Sequence, residues 1–219
     1  MKNINTRIIQ LAVPLILSNL TIPLLGLTNT FVVGHLHNSS YLAAVGLGTT
    51  IFNFIYWSLG FLRMTTTGVI AQAQGQNSST EHSIISHSLL IAFALGVILL
   101  IFQSPIEKAA LILLSSDDTI NTLTAQYYAI RIWAAPAALI NYVLIGTCIG
   151  LQKPITALAL TTAMNLIAII LDIIFVFHLH MDIKGVALAD VVAQFIAMIV
   201  GLFLLKRKLN ILSFNFNKT

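Results

Sequence analysis

The chain alternates long apolar runs with short polar links, and within the runs no strict alternation of apolar and polar positions is visible. An α-helix needs ~20 predominantly apolar residues to cross a hydrocarbon core, whereas a spanning β-strand shows ~10-residue alternating segments. The runs therefore predict six transmembrane helices at roughly 8–34, 42–72, 84–103, 123–151, 154–177 and 184–205. The expected fold class is all-α, a polytopic membrane protein. The main links are "QNSSTEHS" (76–83) and a segment from about Pro105 to Thr119. In the latter, "SSDDT" offers Ser115 or Ser116 as a helix cap. The opening "MKNINTR" precedes an apolar run that contains Pro14 and Pro23 and no small-residue cleavage site. It reads as a retained span rather than a removed signal.

Composition supports the same class. Hydrophobic residues make up 58% and charged residues 8% of 219, with a mean hydropathy of +0.93, against roughly 25% charged in soluble domains. This leaves no room for a soluble domain. The net charge of +4 and pI near 9.4 come from an uneven distribution of Lys and Arg. With six spans, Lys2, Arg7, Lys153, Lys206, Arg207, Lys208 and Lys218 fall on one side, and Lys108 and Lys184 on the other. The positive-inside rule then puts both termini in the cytoplasm. The basicity is a topology signal and implies no nucleic-acid partner.

The single cysteine, Cys148, lies inside the fourth span; it excludes an intrachain disulfide and is assigned to packing. Four of the six histidines form His-Leu-His pairs, His35/His37 and His178/His180, at span ends. Positions i and i+2 of a helix point about 200° apart, so neither pair chelates alone, and no metal or cofactor is assigned. His82 and His87 have no assignable partner.

Charges buried in hydrocarbon cost at least about 2.5–3.5 kcal/mol each, so they face a bundle interior or an aqueous cavity. Arg63, Arg131, Asp172 and Asp190 qualify. At ~1.5 Å rise per residue, Asn29 lies about 31 Å up the first span, Asp172 about 27 Å up the fifth, and Asp190 about 9 Å below the outer start of the sixth. All three fall in the outer half of the membrane, which points to one polar site. Pro23, six residues before Asn29, predicts a kink. Thr28, Asn29 and Thr30 just beyond it resemble the discontinuous helices that transporters place beside a substrate or ion; the alternative is interhelical hydrogen bonding.

Asp172 and Asp190 are candidates for cation coupling, since two carboxylates in one low-dielectric site take up and release protons as a pair; the alternative for Asp172 is an interfacial carboxylate. Thr28, Thr30 and Asn165 are candidates for lining the cavity. Arg63 is assigned a structural role, bonding carbonyls at a helix end. Arg131, about 12 Å from the outer face by helix rise, is either a counter-ion for a carboxylate or a snorkelling side chain.

The order "LAVPLILSNLTIPLLGL…NTFVVGHL", "FLRMTTTGVIAQAQG", "IRIWAAPAAL" and "NLIAIILDIIFVFHLHMDIKGVALA" resembles the multidrug and toxic compound extrusion (MATE) family, in particular its bacterial DinF-like branch. The resemblance covers nearly the whole chain but only the first six-helix lobe of that family. It implies a twelve-helix antiporter with two lobes related by a pseudo-twofold axis along the membrane normal, exchanging organic cations or amphipathic compounds for H⁺ or Na⁺. Residues 1–205 correspond to one lobe and residues 206–219 to the start of the inter-lobe linker. The implied location is the bacterial cytoplasmic (inner) membrane.

Two departures from the family pattern stand out. The branch reads Val-Asp-Thr where this chain has Thr28-Asn29-Thr30, so the usual first-helix carboxylate is an amide here. Ala168 stands where an asparagine is common, Asp172 matches the fifth-helix aspartate, and Asp190, within "GVALAD", stands where threonine is common. The resemblance thus implies that one carboxylate is lost and another gained in the same cluster; Asp190 is expected to replace the missing group, the alternative being a decayed site that is drifting.

The expected function is half of a cation-coupled multidrug efflux antiporter. Its partners are a small-molecule substrate, membrane lipid, and a second six-helix lobe supplied by a homodimer or a separate chain. The alternatives are a truncated, non-transporting membrane fragment and a lipid-linked substrate flippase, for which only Arg63 and Arg131 would supply basic cavity charge. An intramembrane aspartyl protease is disfavoured because "ILDII" and "LADVV" lack the Gly-x-Gly-Asp and Tyr-Asp contexts. The chain is not expected to be an enzyme.

Overall fold

The protein is described from a computed structural model over residues 26–28, 30–35, 39–75, 81–114 and 117–208, together with Val13 and Ile16. We term the helical residues 26–28 and 30–34 α1. They are followed by α2 (Ser39–Ser58), α3 (Phe61–Gly75), α4 (Glu81–Ile101), α5 (Gln103–Leu113), α6 (Asp118–Arg131), a 3₁₀ turn (Ile132–Ala134), α7 (Ala135–Gly150), α8 (Pro154–Ile173) ending in a π turn (Ile174–His178), and α9 (Asp182–Lys208). Among the described residues there is no strand, and the all-α expectation holds. Among the described residues, five helical stretches are long and apolar enough to cross a membrane: Ser39–Gly75, Glu81–Ile101, Asp118–Gly150, Pro154–His178 and Asp182–Arg207. They match the second to sixth expected spans. Pro14, Pro23 and most of the first span lie outside the described residues, as do residues 209–219 of the expected tail.

Two of the spans are composite. The second breaks at Leu59 and Gly60, where the Gly60 amide donates to the Trp57 carbonyl at 3.1 Å in a turn tighter than an α-helix. The fourth tightens into the 3₁₀ turn just before Pro136. Proline has no N–H to donate and its ring crowds the carbonyl four residues earlier. Here that carbonyl belongs to Ile132, the first residue of the 3₁₀ turn, and Pro136 itself sits in the opening turn of α7, where its missing donor is tolerated.

The link after the third span also carries its own helix, α5, which the expected spans did not include. Ser115 and Ser116 lie outside the described residues, and the cap position of α6 is held by Asp117, without a side-chain capping bond.

Packing is organised around the fourth span. Gly146 and Gly150 of α7 form a small-xxx-small pair. A Cβ on Gly146 would lie 2.8 Å from the Arg63 carbonyl oxygen, and one on Gly150 2.9 Å from that of Thr67. The backbones of α3 and α7 are therefore in direct contact, the arrangement by which membrane helices gain van der Waals energy where no hydrophobic drive exists. The Thr67 hydroxyl fastens this contact, bonding the carbonyls of Arg63 at 2.8 Å and Gly146 at 3.2 Å. On another face, Gly96 of α4 lets that helix approach Pro136, whose Cα would be 2.4 Å from an added Cβ.

Among the described residues three apolar clusters result: a small one of Cys148, Ala157 and Leu160, and two larger cores. The upper one, at the end where α8 turns into α9, joins Val32 and Val33 of α1 with Phe52, Tyr127, Tyr128, Val176 and Val186. The lower one joins Leu62, Ile70, Ile85, Leu139, Leu144 and Leu205. In the second span, α2 packs on α6 and α3 packs on α7, so the Leu59–Gly60 break falls between the two cores. Large apolar side chains such as Trp57 (83% exposed) and Met64 (77%) point away from the lobe.

Candidate functional site

Arg131 is the last residue of α6, immediately before the 3₁₀ turn. That position delivers its side chain into the space between α2, α6 and α9. Its Nη2 lies 3.0 Å from Oδ2 of Asp190, with both side chains largely buried. Its Nη1 donates to Thr49 Oγ1 at 3.4 Å and also bonds the Tyr127 hydroxyl, one turn earlier on α6. The guanidinium sits over two aromatic rings, 5.0 Å from the centroid of Phe52 and 5.4 Å from that of Tyr127. Cation–π contact of this kind strengthens when the cation is desolvated.

Asp172, on α8, is 0% exposed, and Asp190, on α9, is 7% exposed. Asp172 is within electrostatic reach of both Asp190 and Arg131. The structure thus gathers Asp172, Asp190 and Arg131 from three helices into one buried, mixed-charge cluster. Pairing offsets desolvation only when geometry is good, and removing one partner strands the other. Arg131 is the counter-ion of Asp190 and does not lie at a free lipid surface. Asp172 is enclosed within the lobe rather than standing at an interface.

The remaining candidates are distributed differently. Asn165, two turns before Asp172 on α8, is buried. Thr28 is half-buried on α1. Thr30 is exposed, and its hydroxyl donates to the Gly26 carbonyl of its own helix at 2.9 Å. Asn29 and Pro23 lie outside the described residues. Arg63 is separate from the cluster: it stands half-buried in the first turn of α3, within electrostatic reach of Tyr142. A line of aromatic contacts connects the two arginine environments. Phe52 and Tyr56 have centroids 5.8 Å apart, and Tyr56 and Tyr142 6.4 Å apart.

One functional-looking contact escaped sequence reasoning. Asn141 of α7, 5% exposed, donates from Nδ2 to the Gln194 backbone oxygen at 3.0 Å and to Gln194 Oε1 at 2.8 Å. Gln194 follows Asp190 by one turn on α9, so this amide latch lies directly below the ion pair. The signal available was an uncharged amide in an apolar run, the same criterion that singled out Asn29.

The comparisons with known proteins agree with this architecture. The MatE family model matches residues 14–174. The chain is 37% identical over 203 residues to the DNA damage-inducible protein F of Escherichia coli (strain K12), covering 92% of this chain and 44% of that protein. It is 29% identical over 207 residues to the multidrug export protein MepA of Staphylococcus haemolyticus (strain JCSC1435), covering 93% and 45%. It superposes with a TM-score of 0.86 and 23% identity on an outward-facing multidrug resistance MATE family transporter of the MOP superfamily, covering 93% of this chain and 45% of that one. The chain therefore spans about half the length of these relatives. On the family match, the ordered sequence similarity and the shared helical fold, this membrane protein belongs to the MatE family.

Proposed function

We propose that the chain forms one six-helix lobe of a cation-coupled multidrug efflux antiporter of the bacterial inner membrane, with both termini cytoplasmic. It exports organic cations or amphipathic compounds in exchange for H⁺ or Na⁺. A second lobe, from a second copy or a separate chain, completes the transport path. The observation that carries this reading is the buried Asp172/Asp190/Arg131 cluster, because intramembrane ionisable groups with partners mark ion and substrate pathways. The MepA relative's name, a multidrug export protein, supports the substrate class. The roughly half coverage of the relatives and the large exposed side chains Trp57 and Met64 support a second lobe.

In this reading Asp172 and Asp190 couple the ion, and Asn29 holds the polar place on the first helix without a charge of its own. Thr28, Thr30 and Asn165 line the cavity, Pro23 kinks the first helix, and Arg63 supports the α3/α7 junction. Domain limits follow as residues 1–205 for the lobe and 206–219 for the linker start. Transport requires that ion binding favour one of two conformations, since a ligand shifts an equilibrium only by its differential affinity.

The test is reconstitution of the purified chain in proteoliposomes loaded with a fluorescent organic cation, with cross-linking and mass determination of the same sample. Ion-gradient-driven efflux from a dimer, lost in folded Asp190→Asn, is the expected result. A monomer with no efflux would sink autonomous transport and favour a lobe that works only with its other half, or a non-transporting fragment.

A further inference from the structure

The least enclosed surface of the lobe runs along α4 and continues onto α5. Of the five spanning stretches, α4 is the most apolar and the least covered by its neighbours, with Leu90, Ile91, Phe93 and Ile98 exposed along it. That outer side has the character of a lipid face. The 21 residues of α4 rise about 31 Å, which alone matches a hydrocarbon core of about 30 Å. Helix α5 therefore begins where acyl chains give way to headgroups.

The chain turns at that level. Pro105 has no N–H, and its ring crowds the Ile101 carbonyl. Phe102, between the two helices, leaves helical geometry with a ψ of 13°. Its amide still reaches the Ile98 carbonyl at 3.0 Å, and the Ile106 amide reaches the Phe102 carbonyl at 3.1 Å, so α5 is joined to α4 without a loop. Ile106, Ala110 and Leu114 pack against the same upper core as Leu99 and Leu100 of α4. The short helix thus lies against the end of the lobe along its whole length.

At about 100° per residue, Ile106, Ala110 and Leu114 share the inward side of α5. Phe102, Pro105, Ala109, Ile112 and Leu113 share the opposite side, where Ile112 is 76% and Leu113 84% exposed. Ser104 and Lys108, both exposed, stand along one edge between the two. A helix apolar on both sides offers water only that edge. We propose that the outward side of α5 is a lipid-docking surface: the helix lies in the interface of the leaflet at this end of the lobe, with Ile112 and Leu113 among the acyl chains and the Lys108 ammonium at the level of the lipid phosphates. Two observations select lipid over a protein partner. The surface is continuous with the apolar outer side of α4, and Lys108 at its margin is complementary to phosphate.

The test places nitroxide labels on the full chain in liposomes. Cys148 is the single cysteine and is buried, so Cys148→Ala provides the background in which Ile112→Cys, Leu113→Cys and Ser104→Cys are labelled one at a time. Leu90→Cys on α4, 64% exposed, is the reference. Electron paramagnetic resonance saturation reads collisions with oxygen, which concentrates among acyl chains, and with a water-soluble nickel chelate. The expected result is oxygen access exceeding chelate access several-fold at positions 112 and 113, as at position 90, with chelate access several-fold higher at position 104. Chelate-dominated relaxation at 112 and 113 puts that side in water and overturns the proposal. Protection from both reagents puts protein there, such as a second copy of the chain, and overturns it as well. Equal chelate access at 104 and 113 removes the polar edge and with it the interfacial placement. Ile112 and Leu113 both project outward, so either label decides if the other variant does not fold, and none of these readouts depends on transport.

Discussion

Arg131 at the end of α6 and Asp190 in α9 meet at 3.0 Å within an apolar bundle, where each offsets part of the cost of burying the other. Breaking such a buried pair from one side costs about 3–5 kcal/mol, whereas replacing both partners by apolar groups of similar volume is often neutral. Asp190→Leu is therefore expected to destabilise the lobe strongly, and Arg131→Met combined with Asp190→Leu to recover most of the loss. Unfolding of the three proteins in mixed micelles of increasing denaturing detergent measures this. Equal loss in the single and double variants would show that the pair contributes through packing rather than charge.

The close approach of α4 to Pro136 gives a sharper steric prediction. Gly96→Ala places a Cβ 2.4 Å from the Pro136 Cα, a backbone atom unable to rotate away. The expected cost is about 1–3 kcal/mol, as for other overpacked sites. Gly68, in α3, has nothing within 4 Å of an added Cβ. Gly68→Ala should therefore be neutral or stabilising by up to about 1 kcal/mol through helix propensity. Thermal melts of the two alanine variants should fall on opposite sides of the wild type or nearly so.

The Asn141–Gln194 latch should contribute modestly. Interhelical hydrogen bonds in membrane proteins are worth about 0.6 kcal/mol on average and up to about 1.7. Asn141→Leu is expected to lose an amount in that range, and a double-mutant cycle with Gln194→Leu isolates the coupling between them. A coupling energy of zero would mean that the amides are satisfied equally well apart.

Outside the spanning helices, Glu107 of α5 gives a pH prediction. Burial raises its carboxyl above the usual range, an effect that Lys108 opposes. A carboxyl with a folded value above its unfolded one binds more protons when folded. Stability therefore falls as pH rises from the unfolded to the folded value, and levels off above it. Glu107→Gln should flatten this slope and be more stable than the wild type at neutral pH. Melting temperatures of the pair across the acidic range check it, and parallel curves would contradict the assignment.

The spans were legible because hydrocarbon imposes one demand on every helix, a long apolar run, and the runs at 42–72, 84–103, 123–151, 154–177 and 184–205 met it. Their internal breaks were not legible. Leu59 and Gly60 sit inside one long apolar run, and glycine is common within membrane helices, so neither residue marks a joint. The tightening before Pro136 was readable in principle, since proline always disturbs the preceding turn. Helix α5 stayed hidden because its apolar stretch, 109–114, is too short to register as a span of about 20 residues.

At the site, the intramembrane charges announced themselves by cost, and helix rise placed Asp172 and Asp190 at matching depth. That Arg131 chooses Asp190 was beyond sequence, because the choice depends on how α6 and α9 rotate against each other. Asn141 went unnoticed because it stands alone in its apolar run, whereas Asn29 is flanked by Thr28 and Thr30.

The break at Leu59 and Gly60 leaves the second span with two separate allegiances. Below it, α3 is clamped to α7 by glycine contacts and by Thr67. Above it, α2 carries Thr49, Phe52 and Tyr56, which stand around the guanidinium of Arg131. The break therefore separates the part of the second span that faces the charged cluster from the part held against α7, and a substitution at Thr49 or Phe52 is expected to leave the contacts of Gly146, Gly150 and Thr67 in place.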